Sequence, residues 1–236
     1  MKYIFNWISG SGGDFILGLR KCILGTDYID ITMQPHVNVW TTHMESANID
    51  RFRFFDSKII GLAHERILNL PDDEPAHFHS LCKFITHSPD LHDLIKENKN
   101  YTITYLCTHT KKHLNYITML SVIKNGDLRE LADFMQRNAL ENNAGHCHLP
   151  DWKNVNLIDY GKVFFEQDHG EIAKLFNGLG VMEFNMVQLA RIIKLYTTVN
   201  IRVMTDDRYQ ISSKKIRLHS LDDIERALSF YIKLEL

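Results

Sequence analysis

The stretch NWISGSGGDFILGLR, residues 6–20, joins two kinds of structure. Before it, KYIFNWI (residues 2–8) is a β-favouring run. After the glycines, an apolar helical pattern runs over residues 14–24. A strand, a glycine-rich turn and a helix is how a phosphate-binding loop is built. Gly10, Gly12 and Gly13 let the backbone curl close to a ligand, and Ser11 adds a hydroxyl. The turn departs from known fingerprints. It has no Gly-Lys-Ser/Thr ending, and Phe15 stands where a dinucleotide loop needs its third glycine. Asp14 brings a negative charge and is expected as the helix N-cap.

Outward from the loop, strand and helix patterns alternate. Apolar helix periodicity covers residues 57–69, and Pro71 ends it. Ser88 and Pro89 open a helix pattern over residues 88–97. YTITYLC (101–107) and YITMLSVI (116–123) are β-rich, and DLRELADFMQRN (127–138) is helical. VNLIDY (155–160) is a short strand. Ile172, Leu175, Phe176 and Leu179 follow at helical spacing, with Gly178 and Gly180 as the stop. Residues 186–199 make a further amphipathic helix. Residues 28–56 show apolar clusters without a clean period.

This alternation predicts an α/β fold: three αβα layers around a mainly parallel sheet, spanning residues 1–205. Residues 206–236 form a small α+β C-terminal extension packed on that domain. In the extension, Ser220 and Asp223 resemble a capping box that opens a helix with Ile224, Ala227, Leu228 and Tyr231 inward.

Composition narrows the function classes. The chain has 236 residues, 44% hydrophobic and 24% charged, which is the make-up of a globular domain. A net charge of -2 supplies no basic field, so nucleic acid is not expected as a partner. No apolar run reaches the roughly 20 residues of a membrane span, and the N-terminus lacks a signal-peptide plan. Cys22, Cys82, Cys107 and Cys147 are scattered among apolar residues and read as reduced thiols, which points to a reducing, cytoplasmic compartment. His77 with His79, His109 with His113, and His146-Cys147-His148 are close pairs. They lack Cys-x-x-Cys or His-Glu-x-x-His spacing, so no metal is expected. Phe52, Phe54 and Phe55 alternate with Arg51 and Arg53, as on a strand with one wet face.

The order of these pieces resembles the sulfotransferase family, a variant of the P-loop kinase fold. That family opens with a strand, a Lys-Ser-Gly-Thr-Thr loop and a helix. Ser11-Gly12 matches the Ser-Gly pair; Gly10 replaces the lysine, and Gly13 and Asp14 replace the threonines. Thr108-His109 in YLCTHT is similar to the Thr-His at the end of the family's catalytic strand. Lys124-Asn125 is similar to its Arg-Asn pair, although Gly126 replaces the proline and Ala132 the serine. NLIDYGKVFFEQ resembles its late strand, with Tyr160-Gly161-Lys162-Val163 in place of Tyr-Glu-Asp-Leu.

The resemblance implies a donor, 3′-phosphoadenosine 5′-phosphosulfate, held by Gly10, Ser11, Gly12, Gly13, Asp14 and Lys124. It implies His109 as the base that deprotonates a hydroxyl acceptor. It also reminds one of sulfotransferase-like proteins of bacterial viruses. The alternative is a non-catalytic structural or interaction protein on the same fold, for example virion-associated. Its partners would be a second copy of the chain or a viral protein.

Overall fold

In the computed structural model the described residues are 2–7, 11–26, 29–34, 36–41, 76–78, 101–107, 113, 155–205 and 215–233. The expected helices at 57–69, 88–97 and 127–138 and the expected strand at 116–123 lie outside them.

The fold is α/β. Strand β1 (Lys2–Trp7) is followed by helix α1 (Gly13–Leu24) and then by an antiparallel hairpin, β2 (Ile29–Gln34) and β3 (His36–Thr41). Strands β4 (Ala76–Phe78), β5 (Tyr101–Cys107) and β6 (Val155–Asp159) come next. A π-helical turn (Lys162–Glu166) leads into α2 (His169–Gly178) and α3 (Met186–Thr205). Strand β7 (Lys215–Leu218) and helix α4 (Leu221–Lys233) complete the described elements.

Four strands form a parallel sheet in the order β4-β1-β5-β6. Ile4, Phe5, Ile103, Thr104, Leu106 and Cys107 are all at most 1% exposed. Successive residues of a strand face opposite ways, so this burial means that both faces are covered at the centre. That explains why YTITYLC reads as a continuous β run. β6 is drier on one side only: Ile158 is buried, but Leu157 is 46% exposed and its carbonyl accepts from Lys174 Nζ at 2.6 Å.

A second, antiparallel sheet has the order β3-β2-β7. Its β2–β3 hairpin accounts for the first part of the stretch that carried no clean period, and residues 42–56 lie outside the described residues. The C-terminal extension is therefore tied to the N-terminal third, with Ile29 opposite Leu218.

Helix α1 lies against β2 and β3. Gly13 meets the Trp7 indole so closely that an added Cβ would stand 2.1 Å from Cδ2. The first turns of the helix are buried all round: Phe15, Ile16, Leu17, Leu19 and even Arg20 are at most 5% exposed. Arg20 Nε donates to the Leu179 carbonyl at 2.8 Å, joining α1 to the end of α2. Replacing Arg20 with Met keeps most of the stem and leaves that buried carbonyl without its charged donor. A loss of about 2 kcal/mol is expected, read as a shift of the urea midpoint at constant slope.

Local signals account for the C-terminal helices. Asp168 caps α2 through Glu171 N at 2.7 Å. The stop after Gly178 forms as expected, with Gly180 at φ 78° and Val181 N bonded to Phe176 O. Ser220 caps α4 by accepting from Asp223 N at 3.2 Å, while its hydroxyl donates to the Asp223 carboxylate at 2.8 Å. That hydroxyl and the Arg226 guanidinium hold the Asp223 carboxyl below its ordinary range. Ile224 and Leu228 are fully buried, as the α4 pattern requires. α3 runs six residues beyond the expected 199.

Candidate functional site

In chain order the four parallel strands are first, second, third and fourth, and in space they lie 2-1-3-4. The chain leaves β1 toward one side, then crosses back to the other. Open parallel sheets bind ligands outside the carboxyl ends of their strands at such a switch point. Here it falls between β1 and β5, whose ends are in register with Trp7 opposite Leu106. The glycine loop leaves the sheet at that edge, and His109 follows the end of β5 by two residues in the sequence.

Gly12 is the N-cap of α1, with φ 76° and ψ 19°. The sequence placed the cap at Asp14. The helix instead begins at Gly13, and Ile16 N makes its first bond to the Gly12 carbonyl at 3.1 Å. The left-handed Gly12 turns the chain into the helix with no side-chain cap. The N–H groups of residues 13–15 therefore have no acceptor within the helix. Ser11 is 2% exposed, and its hydroxyl has no hydrogen-bond partner. Uncapped N–H groups, a positive dipole end and an unpaired hydroxyl are the donor set for one phosphoryl or sulfuryl group. Gly10, His109 and Lys124 lie outside the described residues, as does the Asp14 side chain.

Aromatic rings close over this loop, and the sequence did not reveal them. Phe164 Cζ and Tyr196 Cε1 stand 3.2 and 3.4 Å from where a Gly12 Cβ would be. Phe15 stacks on Tyr196 at 3.8 Å, and Phe164 lies 4.7 Å from Tyr160. The row continues through Phe165 to His113, stacked on it at 4.6 Å. His113 also packs on Gly161, where a Cβ would come within 2.2 Å of the imidazole. The pairing of His113 with His109 on a helical face involves a residue outside the description. So do His79 and the His146-Cys147-His148 stretch. Among the described residues no three His, Cys, Asp or Glu side chains form a metal cluster.

Asp159 ends β6 and accepts from Gly161 N at 2.7 Å, and its own N–H donates to Glu171 Oε1 at 2.8 Å. Cys107 ends β5 beside it, with Sγ donating to the Ile158 carbonyl at 3.2 Å. Burial pushes the Cys107 thiol up from 9.0 to about 12, and the Asp159 and Glu171 charges push in the same direction. A thiol held protonated in the fold stabilises it fully below the unfolded value and loses that contribution as pH rises. Wild type should therefore lose stability relative to Cys107→Ala by about 1.4 kcal/mol per pH unit above pH 9, with the loss complete near pH 12. Urea unfolding of the two proteins across that range measures it. Neither Cys22 nor Cys107 is in a disulfide, while Cys82 and Cys147 are outside the description.

No described helix is long and apolar enough to cross a membrane. No family model, curated protein or solved structure matches the chain.

Proposed function

We propose that the chain is a divergent sulfotransferase-like protein with a three-layer P-loop-type domain. In this reading it takes a sulfuryl group from 3′-phosphoadenosine 5′-phosphosulfate and passes it to a hydroxyl acceptor. One observation carries the reading: the loop that leaves central strand β1 at the switch point ends in an uncapped helix N-terminus beside an unpaired Ser11 hydroxyl. When bound, the donor supplies the reactive sulfuryl group. The chain's part is to hold phosphate oxygens with backbone N–H groups and Ser11, and to take the acceptor proton on His109. Lys124 is the proposed cation for the 3′-phosphate. The loop lacks the family's lysine, so the helix dipole and the N–H groups carry more of the charge balance at the phosphosulfate.

The test is turnover. The full chain is incubated with donor and a panel of sugar, phenol and alkyl hydroxyl acceptors, and release of 3′,5′-adenosine bisphosphate is followed. Acceptor-dependent release supports the reading. Absence of release with every acceptor class, together with absence of donor binding, sinks it.

A second reading has its own observation. Phe230 on α4 is 59% exposed, large and apolar. A structural protein that assembles through its C-terminal helix would use such a residue at a subunit contact. Sedimentation of wild type and Phe230→Ser separates the two: assembly lost in the variant favours the structural role, and a monomer at all concentrations removes it.

A further inference from the structure

The π-helical turn at Lys162–Glu166 touches two places at once. Its Phe164 meets the glycine loop, with Cζ 3.2 Å from where a Gly12 Cβ would be. The next residue, Phe165, stacks on the His113 imidazole, with rings 4.6 Å apart and 7° from parallel. Tyr160 packs on both, 4.7 Å from Phe164 and 6.0 Å from Phe165. The imidazole is also seated on Gly161, where a Cβ would stand 2.2 Å from its Cε1. Gly161 has φ -63° and ψ -43°, which any residue adopts. A glycine is needed there for the close approach of His113 and not for the backbone.

The turn itself is an uncommon structure. π-helical turns are rare and are frequent at functional sites. The Lys162 carbonyl accepts from Gln167 N–H and from Asp168 N–H, the latter at 2.9 Å. Gln167 closes the turn at φ 52°, and among the described residues no other non-glycine residue has a positive φ. Strained positions of this kind gather at switch regions. The neighbouring α register, with Glu166 N–H on the Lys162 carbonyl, is one hydrogen bond away.

We infer that this turn relays the state of the glycine loop to His113. An anion seated on the loop donors displaces Gly12 against the Phe164 ring. That ring is 1% exposed and packed on Tyr160, so it cannot move alone. In a close-packed interior the turn moves with it and shifts Phe165 on the imidazole. The inference rests on the loop reading above and adds regulation to it. His113 comes four residues after His109, so a filled loop resets the connection that carries the proposed base.

Histidine-ring NMR of the full chain, titrated with inorganic sulfate, reads the relay. His113→Gln identifies the His113 signal. In wild type, sulfate is expected to shift that signal and to change amide exchange at Gln167 and Asp168. Phe164→Met stays apolar but exchanges a rigid ring for a flexible chain that absorbs the displacement. At saturating sulfate the His113 shift is expected to be lost in this variant. Gly12→Ala is the ligand-free counterpart: its Cβ presses on Phe164 and should shift the His113 signal in the absence of sulfate. Sulfate binding to wild type that leaves His113 and both amides unchanged overturns the inference. An equal His113 shift in Phe164→Met overturns it too. If sulfate does not bind at all, the loop reading fails. A His113 shift in Gly12→Ala then still upholds the link through the turn, and an unshifted signal overturns it.

Discussion

Gly13→Ala is expected to destabilise the fold by about 3 kcal/mol, at the upper end of what one added methyl group costs in a packed interior. The new Cβ would stand 2.1 to 2.3 Å from three atoms of the Trp7 indole. That indole cannot step aside, since Trp7 is 2% exposed and its ring lies 4.8 Å from Phe5. α1 would have to lift from Trp7, at the expense of its packing elsewhere, since it also lies against β2 and β3 and Phe15, Ile16 and Leu19 are buried. Gly25→Ala is the control. Its φ of 65° disfavours alanine, but an added Cβ meets nothing within 4 Å. It should cost about 1 kcal/mol, from backbone strain alone. Urea unfolding of both variants gives the comparison. A Gly13→Ala loss no greater than that of Gly25→Ala would mean that α1 does not sit on Trp7.

His109→Ala is expected to lower the proposed transfer rate by about 100-fold, with little change in donor affinity. General-base catalysis by a positioned histidine commonly contributes that much or more. The expectation follows from the proposed chemistry and from the place of His109 in the sequence, two residues after β5 ends at the switch-point edge. The split matters: a base acts on the acceptor proton, so its loss should appear in kcat and not in bisphosphate binding. Equal loss in both would make His109 a structural or donor-binding residue instead.

Local patterns made part of this molecule legible. Ser220 and Asp223 announce α4 because a cap needs only neighbours three residues apart. Gly178 and Gly180 mark the end of α2 for the same reason. The runs before Gly10 and around Thr104 read as strands because both faces of a central parallel strand are buried. The hairpin at 29–41 was illegible. Four residues of β2, Ile29 to Thr32, also pair with β7 at the far end of the chain, which no local period could disclose. The helix start was misplaced by a comparable effect. Asp14 looks like the better cap by composition, but Gly12 in the left-handed region already turns the chain. Phe164 and Tyr196 carried no local signal at all. Their approach to Gly12 comes from packing across most of the sequence.

Ser11 marks the most direct test of the central claim, that the glycine loop is an anion site and not only a corner. Its hydroxyl is buried without a partner, so Ser11→Ala should leave stability unchanged or slightly raised while binding suffers. Wild type and variant are titrated with 3′,5′-adenosine bisphosphate, with ATP as the comparison. Micromolar binding of the bisphosphate to wild type, weakened about tenfold in Ser11→Ala at unchanged Tm, is the predicted result. Absence of binding to wild type at millimolar concentrations, or identical binding by the variant, would contradict it.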